Sequence, residues 1–326
     1  MRALHVEALG GLDALRLTDI PTPDPGPGQV RLAIHAAGVN FADKLMLSGT
    51  YQETPEPPFV PGMECAGTVV ELGPGVESVG RGEAVFAVVR HGAFAEEVVV
   101  DAQAVFRIPS RMTMREAAAF PIAYGTAQLG LRHRADLREG EVLLVNGAGG
   151  GVGLTAVEVG KALGATVIAA AGDAEKLALA ESRGADHLVN YRTESLRERV
   201  AEIAGGVDVV FDPVGGAAFR EALRCVNFEA RLLIVGFASG EIPKIPANIL
   251  LVKNVSAVGL YWGAYARQDP AQHRESFREL AALFGAGRLR PHVGAVFPLE
   301  EGAEALRLLV ERRAQGKVVI SVRDSR

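Results

Sequence analysis

Two hydrophobic periods divide the chain. Up to about residue 110, apolar positions come in short runs broken by glycine and proline. Val30, Leu32 and Ile34 alternate with Arg31, Ala33 and His35, the period of a half-buried strand. Further strands are predicted at Leu15–Ile20, Met63–Leu72, Glu83–Val89 and Ala93–Val100. Between them run the rigid connection Pro21–Gly28 and the glycine-rich segment Gly73–Gly82. His35 falls on the polar face of its strand and reads as solvated. Many short strands with glycine turns imply a compact β domain.

From about Thr113 the pattern changes, and a helical spacing begins at Arg115–Phe120. Val142–Val145 is an apolar, β-branched run of the kind buried on both faces of a sheet. A glycine-rich turn follows. Val152, Ala156, Val159 and Leu163 then recur at helical spacing, and Thr166–Ala170 is a second buried strand, which together make a βαβ unit. Strands at Asp186–Asn190, Val207–Asp212, Arg231–Phe237 and Val255–Tyr261 alternate with helices near Ala174–Arg183, Ser195–Ile203 and Ala217–Cys225. That alternation predicts a doubly wound parallel sheet. After residue 264 come a helix (Gln272–Phe284), a strand (Val293–Pro298), a helix (Leu299–Arg312) and a strand (Lys317–Val322), read as a return to the first domain.

Composition narrows the function classes. The 326 residues suffice for two domains, and 48% hydrophobic with 22% charged residues describes an ordinary globular chain. A net charge of −5 argues against nucleic acid or an anionic membrane as partner. Cys65 and Cys225 are too few for a disulfide framework, which suits a reducing cytoplasm. The start of the chain has no signal-peptide pattern. The apolar stretch Ile249–Tyr261 is interrupted by Lys253 and Asn254 and is too short to span a bilayer.

The strongest chemical signal is the turn of the βαβ unit. Ala148-x-Gly150-x-x-Gly153 is the dinucleotide fingerprint with alanine in its first position. Its small residues allow a tight turn, close approach of backbone to pyrophosphate and close helix–strand packing, and the helix N-terminus presents free N–H groups to phosphate. Ala148, Gly149, Gly150, Gly151, Val152 and Gly153 are therefore candidate cofactor contacts. In NAD-binding domains an acidic residue ~20 positions later holds the ribose 2′-OH. Here the second strand ends in Ala171 and Gly172, with no carboxylate to repel a 2′-phosphate, and Lys176 follows. NADPH is expected over NADH, although Asp173 could accept from a ribose hydroxyl. Asp212, Val214, Phe237 and Ala238 follow sheet strands, where ligands bind in doubly wound folds; mostly backbone contacts are expected there.

With these motifs in view, the chain resembles the zinc-free quinone oxidoreductases of the medium-chain dehydrogenase/reductase superfamily. The resemblance rests on Ala37-Gly-Val-Asn-Phe-Ala-Asp43, Gly49-Thr-Tyr51, Pro61-Gly-Met-Glu-Cys-Ala-Gly67, Tyr124-Gly-Thr-Ala127, the glycine loop, Asp212-Pro-Val-Gly-Gly216 and Val235-Gly-Phe-Ala-Ser-Gly240, in that order. It implies a GroES-like catalytic domain over 1–122 and 264–326, a Rossmann domain over 123–263, and a homodimer paired through Val255–Tyr261. It also implies Asn40 and Tyr51 beside the substrate, Asn40 being a cofactor contact as well, and the tyrosine as proton donor in related enoyl-thioester reductases. Thr126 would lie near the cofactor, and Lys176, Tyr191 and Arg313 around the 2′-phosphate, with Arg192 next to Tyr191. A bland alternative makes Asn40 a turn cap and Tyr51 a loop aromatic.

The zinc-dependent members have Cys where this chain has Asn40 and His where it has Met63. No Cys or His stands near Phe120-Pro121, and no cysteine cluster follows His91. A catalytic zinc needs three protein ligands, so no metal is expected. Glu64 and Asp43 read as isolated carboxylates, with Asp43 holding loop geometry. His5, His91, His133, His187 and His292 have no partner at ligand spacing. The expected activity is transfer of hydride from NADPH to a quinone or activated enone. A same-fold alternative is an enoyl-thioester reductase, and a different class is a cofactor-binding protein without catalysis.

Overall fold

The alternating N-terminal stretch folds, in the computed structural model, into strands β1 (Arg2–Val6), β2 (Leu15–Asp19), β3 (Gln29–Val39), β4 (Glu64–Leu72), β5 (Ala84–Val88), β6 (Glu97–Asp101) and β7 (Val105–Arg107), with helices α1 (Phe41–Leu47) and α2 (Met114–Ala119). Helix α3 (Pro121–Gln128) and a π-helical turn (Leu129–Arg134) lead into alternating strands and helices: β8 (Val142–Asn146), α4 (Gly151–Ala162), β9 (Thr166–Ala171), α5 (Ala174–Ser182), β10 (His187–Asn190), α6 (Leu196–Ala204), β11 (Val207–Asp212), α7 (Gly216–Ala222), β12 (Val226–Ile234), α8 (Ala247–Lys253) and β13 (Ser256–Gly259). Helices α9 (Tyr265–Gln268) and α10 (Pro270–Gly285) precede β14 (Val293–Pro298), α11 (Gly302–Val310) and β15 (Lys317–Ser321). The structure describes residues 1–323.

Two units result. The first comprises Met1–Ile122 and the chain from Pro291 onward; the second is Ala123–Arg290. In the first, β3 is central to the seven-stranded sheet, pairing antiparallel with β4, β6 and β15. Val30, Leu32 and Ile34 are fully buried, and Ala36, Ala37 and Val39 are buried as well. Alternation fails in that second half because α2 lies against it. A methyl group at Gly38 would fall on the Ala118 carbonyl oxygen and on the Glu64 carboxylate, so glycine is what lets helix and sheet approach. Helix α2 starts in a capping box: Thr113 N–H and hydroxyl both donate to Glu116 Oε2 at 2.8 Å.

The second unit is a six-stranded, wholly parallel sheet in the order β10-β9-β8-β11-β12-β13. That is the 3-2-1-4-5-6 order of the dinucleotide-binding Rossmann fold, which reverses between β8 and β11. Strands β8, β9 and β11 are apolar and almost wholly buried because helices cover both faces. This unit runs on to Arg290 rather than ending at 263. Helix α10 stays with it because Phe277 and His273 pack on Trp262, Gln128 Nε2 donates to Glu279 Oε2 at 2.6 Å, and Ser276 Oγ donates to Gln128 Oε1 at 2.5 Å.

Other expectations shift locally. His35 is half-buried rather than solvated, its Nε2 lying 3.3 Å from Thr68 Oγ1, and burial lowers its pKa. Ladder pairing of the stretch expected at Ala93–Val100 covers Glu97–Asp101, Ala95 making only a bridge to Ala3. Among the described residues no helix is long and apolar enough to cross a membrane.

Candidate functional site: a glycine cradle and a buried polar cluster

Strand β8 ends at Asn146, and the chain turns through Gly147–Gly150 into α4. Gly150 is the N-cap and no side chain caps this helix, so the first-turn N–H groups are left for another acceptor. A methyl group at Gly153 would run into the Gly147 carbonyl oxygen, and one at Gly149 into the Lys176 side chain. At Gly150 it would meet only the Gly147 carbonyl oxygen, at 3.4 Å, an ordinary contact. The protein's own packing therefore explains glycine at 149 and 153 but not at 150, where the neighbouring space is open. Ala148 is fully buried, its N–H bonded to the Ala170 carbonyl at 3.1 Å, while Gly151 and Val152 are half-buried at the helix start.

The end of β9 supplies cations. Ala171 is buried, so the position of a ribose-binding carboxylate is a methyl group inside the sheet. Asp173 is the N-cap of α5: its Oδ1 accepts from Lys176 N–H at 2.9 Å and its Oδ2 lies 3.6 Å from Lys176 Nζ. It is occupied as cap and ion partner. A methyl group at Gly172 would lie 3.0 Å from both Tyr191 Oη and Arg192 Nε, so these two side chains close over the same turn.

At the sheet's switch point the Asp212 side chain is fully buried. Its Oδ1 accepts from Asn146 Nδ2 at 2.9 Å and Val214 N–H at 3.3 Å, and its Oδ2 from Gly215 N–H at 2.9 Å. Desolvation raises its pKa, and these donors oppose the rise. Asp212 is thus saturated within the fold instead of offered to a ligand. Phe237 and Ala238 follow β12, with Ala238 N–H on the Pro213 carbonyl at 3.1 Å. Thr126 lies inside α3 and is buried.

In the first unit a second polar cluster is buried. Strand registers set Gly38 opposite Glu64 and Val39 opposite Val318, which brings Asn40, Glu64 and Lys317 together. Lys317 Nζ donates to Glu64 Oε1 at 2.6 Å, to Asn40 Oδ1 at 2.7 Å and to the Val39 carbonyl at 3.1 Å. Asn40 Nδ2 donates to Glu64 Oε1 at 2.8 Å, and Ile122 N–H to Glu64 Oε2 at 2.8 Å. Glu64 is not isolated; it is the hub of this cluster. Asp43 accepts from Asn40 N–H at 2.8 Å, starting α1, and burial pushes its carboxyl up to about 7. Tyr51 sits half-buried on the loop after α1. Arg313, also in this unit, pairs with Glu311 at 2.8 Å. Among the described residues no three His, Cys, Asp or Glu side chains gather as a metal site.

The profile of the alcohol dehydrogenase GroES-like domain matches residues 26–110, and that of the zinc-binding dehydrogenases residues 151–284. Quinone oxidoreductase-like protein 2 of Bos taurus is 45% identical over 306 residues, 93% of this chain and 88% of that protein. The chain belongs to the zinc-free quinone oxidoreductases. Two solved members of that family share the architecture. The Thermus thermophilus quinone oxidoreductase, solved alone and with NADPH, aligns with a TM-score of 0.87 at 37% identity over 99% of this chain and all of that one. The Escherichia coli quinone oxidoreductase in complex with NADPH aligns with a TM-score of 0.92 at 28% identity, covering 99% and 100% of the two chains. These are oxidoreductases of a GroES-like plus Rossmann build, and so is this chain.

Within this family frame, the structure gathers Ala148–Gly153, Gly172, Lys176 and Tyr191 at one end of the parallel sheet, with Asp212, Val214, Phe237 and Ala238 beside them across the switch point. Asn40, Tyr51 and Arg313 are in the other unit. Sequence reading missed Asn146 and Lys317. Nothing local marks either; only the strand ladders bring each to its carboxylate.

Proposed function

We propose that this chain is a cytoplasmic, homodimeric reductase that uses NADPH to reduce quinones or related activated enones. The observation that carries the reading is the cradle: a glycine at 150 that the fold itself does not need, an uncapped helix start, and Lys176 beside Gly149, with Ala171 where NAD-binding domains present a carboxylate. The residues fit NADPH. The α4 N–H groups suit its pyrophosphate. Lys176, Tyr191 and Arg192 suit its 2′-phosphate, with Arg313 added by the family pattern. Thr126, Val214, Phe237 and Ala238 suit the nicotinamide end. Bound NADPH supplies a hydride.

The chain's own part is to hold, orient and stabilise charge. Were hydride delivered to a carbon of the acceptor, negative charge would grow on its carbonyl oxygen, and we assign the Tyr51 phenol, half-buried on the loop after α1, as the donor to it. Asn40 takes a different role. Its amide is already engaged by Lys317 and Glu64, so it orients the start of α1 and does not donate to substrate. The exposed edge strand β13 supports self-pairing, with Ser256, Ala257 and Gly259 open along it. Sedimentation should then give twice the 34.3 kDa chain mass. The two buried, unlinked cysteines suit a reducing cytoplasm.

The test is NADPH oxidation with quinones, enones and a crotonyl thioester. Faster turnover of the thioester than of any quinone would mark an enoyl-thioester reductase instead, and turnover of none would mark a binding protein. Lys176→Ala should raise the KM for NADPH about tenfold to a hundredfold, the size of a charged hydrogen bond of ~1.5–3 kcal/mol, with little change for NADH. Equal kcat/KM for the two cofactors in the unaltered protein would overturn the NADPH assignment.

A further inference from the structure

We propose that Asn146 and Asp212 form a buried clasp that sets the spacing of three loops at the end of the parallel sheet, as positioning residues that do not themselves touch the ligand. This deepens, and rests on, the NADPH reading above. Both side chains are inaccessible, at 1% and 0% exposure. They stand at the C-terminal ends of β8 and β11, neighbours at the point where strand order reverses.

The connections fan out from one residue. Asp212 reaches the glycine turn through Asn146, and its two carboxylate oxygens hold the Val214 and Gly215 amides. Its carbonyl accepts from Val235 N–H at 3.0 Å and Gly236 N–H at 3.4 Å. The Pro213 and Val214 carbonyls accept from Ala238 and Ser239 N–H at 3.1 and 2.9 Å. Val214 then abuts the glycine turn, since a methyl group at Gly147 would lie 2.9 Å from its Cγ2. The turn after β8, the Pro213–Gly216 segment and the Gly236–Gly240 loop are thereby fixed to one another.

A buried carboxylate is costly to desolvate and is tolerated only where donors saturate it. All the donors here are loop amides and one side-chain amide, none a cation, so the group's effect is geometric. None of these hydrogen bonds reaches the adenosine end of the cradle at Gly172 and Lys176, which meets the web only where Lys176 packs on Gly149. The clasp should therefore govern ligands that span the switch point and leave those that stop at the 2′-phosphate end alone.

Equilibrium titration calorimetry of the full chain with NADPH and with adenosine 2′-monophosphate, which lacks the 5′-phosphate that would reach the glycine turn, tests this, using Asp212→Asn, Asn146→Leu and the reciprocal pair Asn146→Asp with Asp212→Asn. Each single change should raise the Kd for NADPH about tenfold, the equivalent of about one hydrogen bond. The Kd for adenosine 2′-monophosphate should stay at the unaltered value, and the reciprocal pair, which restores an amide–carboxylate bond, should recover most of the NADPH affinity. Single variants that keep the original NADPH affinity would overturn the proposal. So would variants that lose both ligands equally, or a reciprocal pair no better than the singles. If the unaltered chain binds adenosine 2′-monophosphate but not NADPH, the NADPH reading itself fails, and the clasp's role falls with it.

Discussion

Two glycines of the fingerprint do different jobs, and that difference is measurable. Gly153→Ala forces a methyl group into the Gly147 carbonyl oxygen, so α4 must move off the turn. Overpacking of this kind costs about 1–3 kcal/mol or more. Gly150→Ala meets only an ordinary contact, and its φ of −86° suits alanine. Thermal unfolding without ligand should show Gly153→Ala clearly destabilised and Gly150→Ala near the unaltered protein. NADPH titration should show both impaired. Lys317 gives a second contrast. Removing the cation leaves the buried Glu64 carboxylate with only the Asn40 and Ile122 N–H donors, so Lys317→Met should cost about 3–5 kcal/mol in urea unfolding. Sequence made the glycines legible because their reasons are local. It could not reveal the Glu64–Lys317 or Asn146–Asp212 pairs, whose members are 253 and 66 residues apart.

At the scale of elements, legibility followed burial on both faces. Strands β8, β9 and β11 came through because a fully covered parallel strand is a continuous apolar run, whereas the less covered β10, β12 and β13 were legible from their alternation with helices. Three-residue β7 and five-residue β1 were not read, being short, although β2, the partner of β1, was read at Leu15–Ile20. Helix α10 was legible from its period, but its partner was not, and it belongs with the second unit. Its docking carries a titration. Burial, helped by the nearby Arg274 charge, pushes His273 down to about 4 from 6.5. The unfolded chain takes up that proton first, so stability from this group is full above pH ~6.5 and is lost as pH falls toward ~4. His273→Leu should flatten that part of the dependence of thermal midpoint on pH. An unchanged slope between those values would exclude His273 as its source.

At the scale of the whole molecule, the second unit is a single stretch, Ala123–Arg290, while the first is made of two segments. The excised stretch 123–290 should fold alone and bind 2′,5′-ADP. A chain ending at residue 316 lacks β15 and should lose hydrogen-exchange protection in β3 and β4 while keeping it in β8 to β12. Loss of protection throughout would show the two units to be one cooperative block.

The discontinuous first unit also dictates an order of maturation. Glu64 leaves the ribosome 253 residues before Lys317, an interval of roughly ten to fifty seconds at ~5–20 residues per second. Until then the carboxylate lacks the cation that makes its burial tolerable, so the N-terminal sheet is expected to complete its packing only after the later-made unit has closed. The unit begun earlier is then the later one to reach its native packing.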